Sequence, residues 1–123
     1  MADVVGFECI MAEHGTVGMR LEHDGSIENF GGTIHGGAIA TMLDTAMGAA
    51  VNTTLPTGSG VVTLDLKVSY LRPARPENCP LVSTARLVHS GGRNAYAEGE
   101  VRDHQGKLVA HAVGNFTILR TIG

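Results

Sequence analysis

His35-Gly36-Gly37-Ala38-Ile39-Ala40-Thr41-Met42-Leu43-Asp44-Thr45-Ala46-Met47-Gly48 is the stretch on which the fold turns. Between Glu28 and Asp65 the only Asp, Glu, Lys or Arg is Asp44. Small and apolar residues fill nearly every other position, so 36–52 reads as a helix apolar almost all the way round. Helices of that kind are buried, and a lone carboxylate in a core is either paired or functional. The Gly36-Gly37 step opens the helix and leaves backbone N–H groups without intrahelical partners about two turns before the acid. An acid and a set of amide donors in one buried place point to acyl chemistry.

Outward from the helix the period changes. Upstream, 5–12 and 16–22 read as two short strands joined at His14-Gly15, and 24–33, rich in Gly, Asn and Ser, reads as a loop. Downstream, Thr53-Thr54-Leu55-Pro56-Thr57-Gly58-Ser59-Gly60 is a loop. Val62, Leu64, Leu66, Val68 and Tyr70 then alternate with Thr63, Asp65, Lys67 and Ser69, the pattern of a strand whose apolar set lies on one buried face. Pro73, Pro76 and Pro80 end that run. Strands are predicted over 81–89 and 95–102, joined at Ser90-Gly91-Gly92, and a turn at 103–106 leads to a last strand over 107–119. The plan is α+β: a strand pair, one long helix, four antiparallel strands. One sheet cannot cover a helix that is apolar on all sides, so a second copy of the chain is expected to complete the cover as a homodimer.

The bulk numbers narrow the function classes. The 123 residues fit a single domain spanning 1–123. Charged residues are 17%, below the usual quarter, which suggests surface hidden by self-association. The net charge of -3 and the lack of a basic run remove the electrostatic footprint of nucleic-acid binding. Cys9 and Cys79 show no metal or redox spacing, and the amino terminus, with Asp3 and Glu8, shows no basic signal-peptide region. The expected setting is cytoplasmic. Residues 34–51 approach the length of a membrane span, but Asp44, the threonines and the Gly-Gly opening argue for a buried helix of a soluble domain. The six histidines form no HxH or HExxH pattern, so no metal site is expected.

Asn29 stands six residues before His35 and Asp44 nine after it, and the strand Val62-Thr63-Leu64-Asp65-Leu66-Lys67-Val68-Ser69-Tyr70-Leu71-Arg72-Pro73-Ala74 follows. With these features the chain resembles the hotdog-fold acyl-CoA thioesterases, in the group named for its phenylacetate-degradation member, from about Glu8 to Leu119. The resemblance implies a hotdog fold, a curved antiparallel sheet wrapped around one long central helix. It implies hydrolysis of an acyl- or aryl-CoA thioester to the acid and free CoA. Coenzyme A enters only as part of the substrate, and no metal or redox cofactor is implied. Asp44 matches the acid that attacks the thioester carbonyl or activates a water. Gly36 matches the residue whose backbone N–H polarises the thioester oxygen, while His35 and Gly37 match the loop shaped against the substrate. Asn29 matches an amide that holds the thioester or water, and Thr63 a hydroxyl that orients the water. On the alternation above, Thr63 shares a face with Asp65 and Lys67, opposite the apolar set. Each site in the resembling dimers is built by both subunits, Asp44 of one facing Asn29 and Gly36 of the other, and a dimer of dimers is expected.

Ala40, Met47 and Val51 lie with Asp44 at helical steps of three or four and are expected to line the substrate pocket. Arg72, Arg75 and Arg93 sit beside Pro and Gly turns, placed to reach CoA phosphates. Each assignment has a plainer counterpart: an Asp44 held by Thr41 or Thr45, a glycine pair serving a tight turn, a hydrogen-bonding His35, a turn residue at Asn29, solvated arginines. Two other functions compete: a hotdog hydratase or dehydratase, which pairs a His with an acid, and a non-catalytic acyl-CoA-binding protein. The acyl group stays open.

Overall fold

The computed structural model of the chain describes residues 7–22 and 32–120. Asn29 lies outside them. Six strands and one long helix follow in the order β1 (Phe7–Glu13), β2 (Thr16–Leu21), α1 (Gly36–Asn52), β3 (Gly60–Tyr70), β4 (Leu81–Ser90), β5 (Asn94–Arg102) and β6 (Leu108–Leu119), with a 3-10 turn at Pro76–Asn78. All strand pairs are antiparallel, in the spatial order β1-β2-β4-β5-β6-β3. The strand that follows the helix therefore forms one edge, beside the last strand. The sheet packs around α1 in the hotdog arrangement.

Helix α1 buries Ala38, Ile39, Met42, Leu43, Ala46, Met47, Ala50 and Val51 against the sheet. The sheet side of that contact is built mostly from small residues, Ala95, Ala97 and Gly99 on β5 and Ala110, Ala112 and Gly114 on β6, with Val101 and Phe116 as the larger members. A Cβ at Gly99 would lie 3.2 Å from Leu43 Cδ2 and Met47 Cγ, so the glycine is what lets the helix settle this close. Burying Leu or Met side chains contributes about 1.5–3 kcal/mol each, which outweighs the weak strand propensity of Ala and Gly. The helix ends where Thr53 and Thr54 turn their hydroxyls back onto the carbonyls of Ala50 and Val51, at 2.7 and 2.8 Å. Those bonds satisfy carbonyls that the last turn leaves open.

Within one chain the sheet leaves one side of α1 open, as expected of a helix that a single sheet cannot cover: Gly37 and Asn52 are exposed, and Ala40, Thr41, Asp44, Thr45, Gly48 and Ala49 are half-buried along one open stripe. Bulk decides the split, since the larger apolar side chains point to the sheet and the small and polar ones away from it. In β3 the ladder pairs Thr63 with Phe116 and Asp65 with Asn115, leaving Leu64 as an extra residue. This bulge flips the side-chain faces. Leu66 and Val68 pack on the core as expected, but Val62 and Leu64 are 46% and 56% exposed, and Val61 and Thr63 take the inward side. No described helix is long and apolar enough to cross a membrane.

Candidate active site

Asp44 sits at the middle of the open stripe of α1. Thr63, turned inward by the bulge, donates its hydroxyl to Asp44 Oδ1 at 2.7 Å. Around the pair runs an open groove of about 510 Å³, walled by Thr45, Gly48, Ala49, Asn52 and Thr53 from the helix side and by Val61, Thr63 and Phe116 from the sheet. The carboxylate has one oxygen bound by a neutral donor and borders the groove, an arrangement suited to a nucleophile or a base.

At the start of α1, His35 is the N-cap. Its Nδ1 accepts the Gly37 N–H at 2.8 Å, which places the ring proton of the neutral imidazole on Nε2. The second glycine has a physical reason: a Cβ at position 37 would stand 2.9 Å from His35 Nδ1. The carbonyl of His35 takes the N–H groups of Ala38 and Ile39, at 3.0 and 3.3 Å. Among the described residues the Gly36 N–H has no hydrogen-bond partner, which is the state an oxyanion donor needs. The Gly36 carbonyl accepts the Tyr70 hydroxyl at 2.6 Å. In the sequence Tyr70 reads only as the last member of an apolar strand face. It is 51% exposed, partial burial raises its phenol above the ordinary value, and it acts as a neutral donor. The signal was present, since a Tyr near an edge seeks a partner for its hydroxyl.

The remaining expected residues divide into near and far. Met47 and Val51 do not flank Asp44: both are 0% exposed, packed between helix and sheet, and neither borders the groove. Helical spacing places them on the flank of the stripe, where their bulk is drawn into the core. Ala40 is half-buried on the open stripe. Arg72 borders a second cavity of about 290 Å³ together with Gly36, Ile39 and Tyr70. Arg75 caps the 3-10 turn with its backbone N–H on Asn78 Oδ1 at 2.9 Å, and its side chain is exposed. Arg93 sits at the other end of β6, where its carbonyl takes the Ile118 N–H, while Arg72 donates to Val109. Nine residues of strand separate those anchor points, about 30 Å, so the arginines form no single cluster. Among the described residues no group of three His, Cys, Asp or Glu is placed to hold a metal ion.

The family model of the thioesterase superfamily matches residues 31–110, which contain α1, β3, β4, β5 and the start of β6. The BH2602 protein from Bacillus halodurans, solved with CoA, is 36% identical over 98% of this chain and 79% of its own, with a TM-score of 0.87. Conserved protein PA5202 from Pseudomonas aeruginosa is 32% identical over 96% and 92%, with a TM-score of 0.89. The E. coli PaaI protein of the phenylacetic acid degradation operon is 25% identical over 99% and 83%, with a TM-score of 0.85. No curated protein matches the sequence. With the one long helix of its described residues set in a curved six-stranded antiparallel sheet, the chain belongs to the thioesterase superfamily, as a hotdog protein of the PaaI-like group.

Proposed function

We propose that this chain is an acyl-CoA thioesterase that hydrolyses an acyl- or aryl-CoA to the carboxylic acid and free CoA. The observation that carries the reading is the Thr63–Asp44 pair at 2.7 Å inside an open groove, on a helix whose first amide, Gly36 N–H, is unpartnered among the described residues. The CoA bound to the Bacillus halodurans relative supports coenzyme A as the carrier.

In the reaction, the carbonyl oxygen of the thioester takes the Gly36 N–H, where the positive end of the helix favours the developing charge. Asp44 either attacks the carbonyl carbon or takes a proton from the water that does. In the first route an acyl anhydride forms, the CoA thiolate leaves, and water then cleaves the anhydride. In the second route water adds directly and the thiolate leaves with the proton that Asp44 removed. Thr63 holds the carboxylate in place for both. His35, occupied as a cap, acts on the loop rather than on the proton.

Within one chain the acid and the amide stand eight residues apart on α1, about 12 Å along its axis, too far to touch one carbonyl. A second copy closes that distance. Among the described residues the eleven-residue β3 is an edge with an unpaired side, which favours pairing with another strand. Antiparallel pairing of β3 with its own copy, about an axis at Lys67, sets Thr63 opposite the partner's Tyr70 once the extra residue Leu64 is counted out. Asp44 then faces the partner's Gly36, and the small-residue stripe of α1 is covered. A dimer of dimers extends the same assembly. Arg72, beside Gly36, Arg93, whose carbonyl takes the Ile118 N–H, and the exposed Arg75 are the cations offered to CoA phosphates. Asn29 is assigned to the thioester or its water on family likeness.

The deciding experiment is thiol release from aryl, short, medium and long acyl-CoAs, with Asp44→Asn and Asp44→Ala beside the native chain. Release that disappears in both variants while the dimer stays folded upholds the reading. Tight acyl-CoA binding with no release by the native chain replaces it with a non-catalytic acyl-CoA-binding protein.

A further inference from the structure

The geometry points to Tyr70 as a positioning residue: its hydroxyl locks the Gly36–Gly37 peptide and so aims the Gly36 N–H at the reacting carbonyl, an inference that rests on the thioesterase reading above.

The Gly36–Gly37 peptide is held at both ends. Tyr70 donates to its carbonyl at 2.6 Å, and its N–H donates to His35 Nδ1 at 2.8 Å. The preceding peptide is held through the His35 carbonyl, which takes two helix N–H groups, while its own N–H, that of Gly36, has no hydrogen-bond partner among the described residues. The orientation of that open N–H is therefore set by its neighbours. Two consecutive glycines have the widest backbone freedom of any pair, so an unclamped Gly36-Gly37 would sample many directions for the donor. An amide that must meet a developing oxyanion is useful only when it is fixed beforehand. The Tyr70 ring also covers Gly36 directly, since a Cβ there would stand 3.4 Å from the hydroxyl oxygen and 3.5 Å from Cζ.

The bulge in β3 makes this clamp possible. Thr63 and Tyr70 are seven residues apart, an odd number, and on a regular strand they would face opposite sides. The extra residue Leu64 puts both on the helix side, opposite Phe116 and Ala110. The bulge is itself held. Asp65 Oδ1 takes the Asn115 backbone N–H at 2.9 Å, and the Asn115 side chain adds bonds at 3.2 and 3.3 Å. A side-chain acceptor thus serves a donor where the ladder is interrupted. Gly114 accommodates the close approach of the Asp65 carbonyl, which a Cβ would meet at 2.8 Å. One strand therefore fixes the acid through Thr63 and the amide through Tyr70.

The test is Tyr70→Phe, which keeps the ring and removes the donor. Two readouts are taken on the full chain: the 15N–1H resonances of Gly36 and Gly37, and thiol release from the acyl-CoA that the native chain cleaves best. The expected result is a shifted Gly37 resonance with a broadened or shifted Gly36 resonance, and a kcat lowered about 10- to 100-fold with KM changed less than about twofold. Unchanged Gly36 and Gly37 resonances, or native kcat, would overturn the inference. A fall in KM-dependent binding with native kcat would also overturn it, by making Tyr70 a substrate contact. If the native chain releases no thiol from any acyl-CoA, the thioesterase reading fails on its own, and the amide resonances still decide whether Tyr70 locks the peptide.

Discussion

Thr63 on the edge strand and Asp44 in the middle of the helix are joined by a 2.7 Å hydrogen bond in which the hydroxyl donates and the carboxylate accepts. The bond ties the proposed nucleophile or base to the sheet rather than to its own helix. A hydrogen bond to a charged group is worth about 1.5–3 kcal/mol. Thr63→Val, similar in volume but without the donor, is expected to lower kcat about tenfold or more, while Thr63→Ser retains most of it. Equal kcat for Thr63→Val and the native chain would remove Thr63 from the mechanism.

His35 is expected to matter for stability more than for proton transfer, because its Nδ1 is already committed to the Gly37 N–H at 2.8 Å. His35→Asn preserves a capping acceptor and is expected to keep most of the turnover and the melting temperature. His35→Ala removes the cap at about 0.5–2 kcal/mol. A loss of a hundredfold or more in kcat for His35→Asn, with its melting temperature unchanged, would make the histidine a direct participant.

Gly48 offers a case where stability and activity part. It lies on the groove wall, and a Cβ there would meet Phe116 Cε2 at 3.7 Å, an ordinary contact. Gly48→Ala is expected to stabilise the helix by about 0.5–1 kcal/mol while narrowing the groove. Calorimetry read beside thiol release would show a higher melting temperature, with the loss of rate greatest for the bulkiest acyl groups. A uniform rate across the panel would mean that the acyl group does not lie against this part of α1.

Asp103 shapes the acid limb of stability. The backbone N–H of Lys107, followed by that of Gln105, donates to its carboxylate at 2.9 Å, and these bonds hold it below the usual carboxylate range against the opposing effect of burial. A carboxyl whose folded-state pKa is depressed stabilises fully above its unfolded value, about 3.9. That contribution is lost as pH falls through the lower folded value. Urea unfolding of Asp103→Asn is therefore expected to show a smaller loss of stability between pH 6 and 3 than the native chain. Parallel curves would sink the assignment.

The limits of α1 and all six strands could be read from the sequence within about two residues, because the Gly-Gly opening, the prolines and the turn residues punctuate the chain. The distinction between large and small residues on α1 was also present: Ile39, Met42, Leu43, Met47 and Val51 lie opposite the stripe of Gly37, Thr41, Asp44, Thr45 and Gly48. Taking them as one apolar set sets Met47 beside the acid, where the structure buries it against the sheet. The bulge was not legible. Val62, Leu64, Leu66, Val68 and Tyr70 alternate without a fault, and the residues that force the slip, Asn115 and Gly114, lie about fifty positions away and meet Asp65 only through the register of β3 on β6.

Gly114 is where that long-range dependence can be tested. A Cβ at this position would stand 2.8 Å from the Asp65 carbonyl oxygen, a backbone atom that has no rotamer by which to move aside. It would also stand 3.2 Å from Leu66 Cδ1 and 3.3 Å from Met47 Cε, both ends of flexible chains. The backbone contact decides the sign. Gly114→Ala is expected to cost about 1–3 kcal/mol in urea unfolding, as overpacking does, and to move β3 away from β6. Because Thr63 and Tyr70 both depend on that register, turnover is expected to fall further than the stability loss alone would remove from a protein still folded at the assay temperature. A variant destabilised as expected but with native kcat would show that the bulge supports the fold without positioning the site.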